Sequence, residues 1–119
     1  MVTEADARKL AEDWIEAWNA HDLDRIMTHY ADEIEFTSPF VVRLMGDSAG
    51  TVRGRSSLRG YFATGLAAYA DLHFDLHGVA VGVESVVLHY RSINRLEAFE
   101  VMTLNQAGLV ARVTAHYSK

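Results

Sequence analysis

Glu100 is the residue in this chain best suited to chemistry at neutral pH. It alternates with Ala98 and Met102 along an apolar stretch, so its carboxyl shares a strand face with residues of burial type. Desolvation disfavours a carboxylate and raises its pKa, which makes a buried glutamate a proton donor or acceptor near neutral pH. The competing reading is a strand-edge glutamate paired with Arg91 or Arg112. Trp14 and Trp18 stand one helical turn apart and share a face. Core packing is the default for such a pair, yet a buried indole N–H needs an acceptor, and a ligand oxygen can be that acceptor. Ser38 can hydrogen-bond a ligand, but no histidine adjoins it to make it a nucleophile.

The six histidines raise the question of a metal. His73, Asp75 and His77 project from one strand face at two-residue spacing, a set that can hold a metal in principle. Their apolar alternates Leu72, Phe74 and Leu76 face inward, so the trio is expected on the outer, solvent- or interface-facing side. His21 falls at the junction of two helices, and His29 near a helix end that favours a cation. His116 alternates with Ala115 and Tyr117 and points the other way, while His89 is open to either face. None has a recognised metal spacing, and neither a metal nor a cofactor is expected. There is no phosphate-binding glycine loop, GxSxG elbow or dinucleotide fingerprint. Arg53, Arg55 and Arg59 can meet an anion, but a solvated helix start is the simpler reading.

Bulk properties narrow the classes further. The chain has 119 residues, half of them hydrophobic, which suits one domain spanning residues 1–119 with a single core. There is no cysteine, so disulfide and thiolate chemistry are excluded. The net charge of −5 argues against nucleic acid or an anionic membrane as partner. No apolar run approaches the roughly 18 residues of a membrane helix, and the acidic start at Glu4 and Asp6 is not a secretory signal. The expected location is the cytoplasm.

The elements that position these residues follow from periodicity. Thr3 caps a helix reaching about Ala20, with Ala7, Leu10, Ala11, Trp14, Ile15 and Trp18 on its buried stripe. Asp22 caps a short second helix. Ile34 to Ser38 alternates as a half-buried strand that Pro39 ends. Residues 40–54 show no clean period and read as a rim loop or lid. Ser56 or Ser57 caps a third helix carrying Leu58, Tyr61, Phe62, Leu66 and Tyr69. Strands then follow from Leu72, from Val83 to Ser92, from Leu96 to Leu104 and, after a turn at Asn105 to Gly108, from Leu109 to Tyr117. Helices first and strands afterwards is an α+β order. In the strand from Leu96 to Leu104, Ala98, Met102 and Leu104 share one face and Phe99 and Val101 the other. Both faces are apolar, so the second is expected to meet another subunit, most simply in a twofold homodimer through the sheet.

Trp14-Ile15-Glu16-Ala17-Trp18-Asn19-Ala20-His21-Asp22, with Phe36-Thr37-Ser38-Pro39-Phe40 and Gly54-Arg55-Ser56-Ser57-Leu58-Arg59, resembles the nuclear transport factor 2-like superfamily in its SnoaL-like branch. The resemblance extends over the whole chain. It implies a cystatin-like, cone-shaped fold in which three helices and a curved, largely antiparallel but mixed sheet enclose an apolar pocket. One such scaffold hosts isomerases, dehydratases, cyclases, epoxide hydrolases and non-catalytic binders, so fold alone does not choose among them.

Comparison with the ketosteroid isomerases in that superfamily is instructive. The family's oxyanion tyrosine on the first helix is matched by Trp14 and its base by Ser38, and only its late acid has a counterpart, Glu100. That reaction by that mechanism is therefore not expected. The comparison turns Ile34, Phe36, Ser38, Val113, Ala115 and Tyr117 toward the cavity. The expected function is cofactor-independent isomerase, cyclase or lyase chemistry on a small hydrophobic molecule by proton transfer. Glu100 would act as acid or base, and Trp14, Trp18, Phe36, Ser38, Tyr61, Met102, Val113 and Tyr117 would bind the ligand. The alternative is a binding domain that holds a small apolar ligand without converting it, and a third reading makes dimerisation itself the function.

Overall fold

The computed structural model of residues 1–119 carries four α-helices and one six-stranded sheet, with no helix long and apolar enough to cross a membrane. Helix α1 (Glu4–Asn19) begins where the Thr3 hydroxyl accepts the Asp6 N–H at 3.0 Å, with Glu4 and Asp6 in the first turn toward the positive end of the helix dipole. Its buried stripe is Ala7, Ala11, Trp14, Ala17 and Trp18. Asp22 caps helix α2 (Leu23–Met27) by accepting the Arg25 N–H at 3.1 Å.

Strand β1 (Tyr30–Thr37) starts four residues before the alternation at Ile34, because a register irregularity between Tyr30 and Glu35 breaks the period there. Residues 40–54 are not a loop. Helix α3 (Pro39–Met45) and strand β2 (Thr51–Arg53) occupy most of them. Ser38 caps α3, Pro39 sits at its first position and Gly46 closes it at φ 69°. The proline that ends β1 therefore also starts a helix, so the chain has four α-helices and not three. Helix α4 (Arg55–Ala68) follows Gly54, which turns the chain at φ 86° and donates its N–H to the Ile34 carbonyl at 2.8 Å. No side chain caps α4, in contrast to the expected role of Ser56 or Ser57.

Strand β3 (Asp75–Val81) begins three residues later than the pattern from Leu72 implies. The intervening backbone is bonded elsewhere. Asn19 at the end of α1 donates to the Phe74 carbonyl at 2.9 Å and accepts the Phe74 N–H at 2.7 Å, and the His21 ring lies 2.9 Å from the Leu72 carbonyl. Strands β4 (Ser85–Arg91), β5 (Glu97–Leu104) and β6 (Val110–Ser118) complete a sheet in the order β2-β1-β6-β5-β4-β3. Only the β1–β6 pairing is parallel.

Register decides which side chains meet on the inner face. Leu88, Glu100 and Ala115 form one row across β4, β5 and β6, and Tyr90, Ala98 and Tyr117 the next. A third row joins Val86, Met102, Val113 and Phe36. On the outer face lie Val87, Val101 and Thr114, then His89, Phe99 and His116. Phe99 is 38% exposed there and stacks against His89 with ring centroids 4.3 Å apart.

Candidate functional site

The two inner rows that contain Ala98 and Ala115 have small residues beside large ones, so the sheet recedes where Glu100 stands. Helix α1 brings Trp14 and Trp18 over this hollow, α3 brings Phe40 and Leu44, and α4 with its end brings Tyr61, Phe62 and Tyr69. The cavity that remains measures about 70 Å³. Pockets that bury a drug-sized ligand run from roughly 300 to 1,000 Å³, so this one in its present shape admits only a molecule of a few heavy atoms.

Its walls are aromatic to an unusual degree. The chain has two tryptophans, five tyrosines and five phenylalanines, and ten of these twelve line the cavity. Only Tyr30 and Phe99 do not. No lysine, arginine or histidine reaches it, and Glu100 is its one carboxyl.

Glu100 is 3% exposed. Its row neighbours Leu88 and Ala115 offer no hydrogen bond, but Tyr90, one residue pair along, donates its hydroxyl to Oε1 at 2.6 Å. Oε2 is buried without a partner. Burial pushes the carboxyl from its ordinary 4.5 up to about 7, although the Tyr90 hydrogen bond pulls the other way. The arginines that could have neutralised it are engaged elsewhere: Arg91 with Glu97 at 2.9 Å and Arg112 with Glu35 at 3.3 Å. Burial, and next the nearby Glu100, raise the phenols of Tyr30, Tyr61, Tyr90 and Tyr117, so all four are neutral donors across the physiological range.

Trp14 donates its indole N–H to the Tyr30 hydroxyl at 2.9 Å, and this buried bond holds the ring that forms one cavity wall. Trp18 packs edge-on against Phe62 at 4.8 Å, and its N–H is buried without an acceptor. Ser38 is 1% exposed and does not line the cavity. Its hydroxyl accepts the Phe40 N–H at 3.2 Å as the cap of α3, and hydrogen bonding to it partly offsets the rise of the Tyr61 and Tyr117 phenols.

Of the residues singled out from the sequence, Glu100, Trp14, Trp18, Phe36, Tyr61 and Tyr117 share this cavity. Met102 and Val113 do not reach it. They sit opposite each other in the third row, fully buried beneath it as core. Tyr90, which was not singled out from the sequence, holds the carboxyl. Its alternation with Val86 and Leu88 is the signal by which it could have been found, but only the β4–β5 register sets it diagonal to Glu100.

The remaining charged candidates resolve into surface pairs. Arg53 bonds Glu35 at 3.1 Å, Arg55 donates to the Met27 carbonyl at 2.9 Å, and Arg59 pairs with Asp24. His73 lies 3.3 Å from Asp75, ahead of the strand. His77 stands at an irregularity between Leu76 and Gly78 that turns it toward His89 and Glu97, 3.3 Å from the latter. The trio thus separates, and no group of three or more histidine, aspartate or glutamate side chains has metal-holding geometry.

Helices packed on one face of a six-stranded, curled mixed sheet make this the cystatin-like, nuclear transport factor 2-like class of α+β fold. The family model for the SnoaL-like domain matches residues 11–118, and the chain belongs to that family. Among solved structures it is 39% identical to a SnoaL-like protein of unknown function from Burkholderia thailandensis E264, over 99% of this chain and 98% of that one, with a TM-score of 0.96. A nuclear transport factor 2-like protein of unknown function from Cytophaga hutchinsonii ATCC 33406 superposes with a TM-score of 0.73 at 15% identity, covering 99% and 95% of the two chains. The epoxide hydrolase/cyclase-like enzyme SalBIII, with a role in pyran ring formation in the polyether salinomycin, gives 0.76 at 18% identity, covering 99% and 95%. The last two likenesses are of fold alone. No curated protein matches the chain.

Proposed function

We propose that this chain is an enzyme of the isomerase, cyclase or lyase kind, in which Glu100 exchanges a proton with a small, largely apolar substrate held in the aromatic cavity. The observation that carries this reading is the Glu100 carboxyl itself: buried in the cavity wall, held at one oxygen by Tyr90 and free at the other. A group whose pKa lies near the operating pH can both give and take a proton without a large penalty in either direction. The test is an NMR titration of the Glu100 side-chain carboxyl. A midpoint near 7 is expected, and an ordinary value near ~4.3 would remove the acid–base role.

One observation favours the alternative of a binding domain without turnover. Glu100 is the one carboxyl of the cavity and no histidine, lysine or aspartate lines it, so apart from high-pKa phenols nothing is placed to return the proton on the other side of a substrate. Native mass spectrometry of the purified protein separates the two readings. A retained small molecule that Glu100→Gln holds as well as the wild type, and that emerges unaltered from both, belongs to a binder.

We also propose that the chain pairs with a second copy through the outer face of the sheet. The exposed Phe99 ring and the half-buried Val87 and Val101 beside it form an apolar strip on that face.

A further inference from the structure

We propose that the ligand of this cavity carries a positive centre, a quaternary ammonium or protonated amine, seated among the aromatic rings against the free oxygen of Glu100. The assignment rests on the reading of the cavity as the ligand site and names the class of molecule it takes.

Three observations lead there. First, the cavity holds an acid and no base. Glu100 Oε2 is buried without any partner, and neither lysine, arginine nor histidine lines the site. A buried carboxylate without a counter-charge is costly, and proteins remove that cost by pairing the group or by keeping it protonated. The protein itself supplies no cation, so the pairing position is open to a ligand.

Second, the rest of the wall suits a cation better than an anion. Ten aromatic rings surround the space, and ring faces attract positive charge through their quadrupoles, most strongly where water is excluded. One ring of this set already receives such a contact: the exposed Arg43 guanidinium lies 5.2 Å from the centroid of Phe40. An anionic ligand would find no lysine, arginine or histidine in the wall to pair with.

Third, the groups facing Glu100 leave its charge state to the ligand. Tyr90 donates to it from β4, Tyr117 faces it from β6, Tyr61 from α4 and Tyr30 from β1, and all four phenols are held neutral. No other charged side chain faces the carboxyl from these elements. A bound cation therefore draws Glu100 into its ionised form, which is also the form able to accept a proton from the ligand. The size of the cavity, about 70 Å³, selects a compact head group such as a trimethylammonium or a small amine.

The test uses tetramethylammonium and tert-butyl alcohol, a cation and a neutral molecule of similar shape. Binding is followed by the fluorescence of Trp14 and Trp18, the chain's only tryptophans, both in the cavity wall. At about pH 8 tetramethylammonium should bind at least ~10-fold more tightly than the alcohol. Below about pH 7 its affinity should fall roughly tenfold per pH unit, because the ligand then displaces a proton, while that of the alcohol stays level. Glu100→Gln should reduce the cation preference at least ~10-fold and abolish the pH dependence. The wild-type pH series tests the same point without any substitution. Equal affinity for the two probes, or a cation affinity indifferent to pH, overturns the assignment and leaves the cavity standing as a site for neutral ligands. Binding of neither probe overturns both.

Discussion

Replacing Glu100 by glutamine removes one titration while keeping nearly the same shape, and its effect on stability can be worked out in advance. In the folded chain burial lifts the carboxyl to about 7, against an ordinary 4.5 that the unfolded chain should recover. The folded state thus holds this proton more tightly than the unfolded state. The stabilising contribution is complete below about 4.5 and disappears as pH rises through about 7. At about 1.4 kcal/mol for each tenfold difference in proton affinity, the loss across that window is about 3 kcal/mol. Glutamine cannot ionise, so Glu100→Gln should overtake the wild type as pH rises, by about 3 kcal/mol between acid and mildly alkaline conditions.

Urea unfolding of both proteins across that range measures the difference. Subtraction cancels the other shifted groups, which act with the opposite sign. Burial lowers His29, hydrogen bonds from Arg25 lower Asp13 and from Arg91 lower Glu97, and the stability due to each is lost as pH falls. None of them contacts Glu100, so their contributions are common to both proteins. A difference that stays constant with pH would mean that Glu100 titrates alike in the folded and unfolded chains. Solvent would then reach the carboxyl, and both its burial and its acid–base role would fail.

Trp14→Phe removes the 2.9 Å bond to Tyr30 and leaves a buried phenol oxygen without its donor, at a cost of about 1–3 kcal/mol. Adding Tyr30→Phe should recover part of that loss, and additivity of the two in a denaturation cycle would show that the bond contributes nothing. Two glycines should respond to alanine with opposite sign. Gly50, at φ +68°, would place a Cβ 3.0 Å from Val42 Cγ2 and 3.3 Å from the Ser38 carbonyl, so Gly50→Ala should lower stability by more than about 1 kcal/mol. Gly60, on the open side of α4 with nothing within 4 Å of its Cβ position, should gain up to about 1 kcal/mol. Thermal melts of the pair decide, and equal shifts would refute the distinction. Phe99→Glu on the outer face should convert a dimer to a monomer in sedimentation equilibrium without changing the fold, and a wild-type monomer would refute the paired sheet.

Much of the fold was legible because it follows from local rules. Thr3 and Asp22 announced two helix starts through side-chain oxygens that cap the next turn. Alternation along Ala98 to Met102 showed which residues share a face, since strand side chains can point only two ways, but which face is inner, and where His89 points, was settled by the sheet. Helix α3 carried a local signal too, a serine cap followed by proline at the first position and glycine after the last turn. It was obscured because Pro39 also ends a strand, and a helix of seven residues shows too few turns to display a period.

The strand pattern put Glu100 on one face with Ala98 and Met102, but both faces of that strand are apolar, and only the folded sheet shows that this face is the buried one. What that carboxyl meets was also left to the fold. Tyr90 reaches it only through the β4–β5 register, and residues from three helices and four strands, far apart in the chain, arrive around it only when the sheet curls. Local pattern says which residues share a face, because that choice is binary. Which residues share a cavity depends on contacts between segments far apart in the chain, whose alignment is set by packing and register together. Tertiary structure alone brought ten aromatic rings and no cation to the same small space.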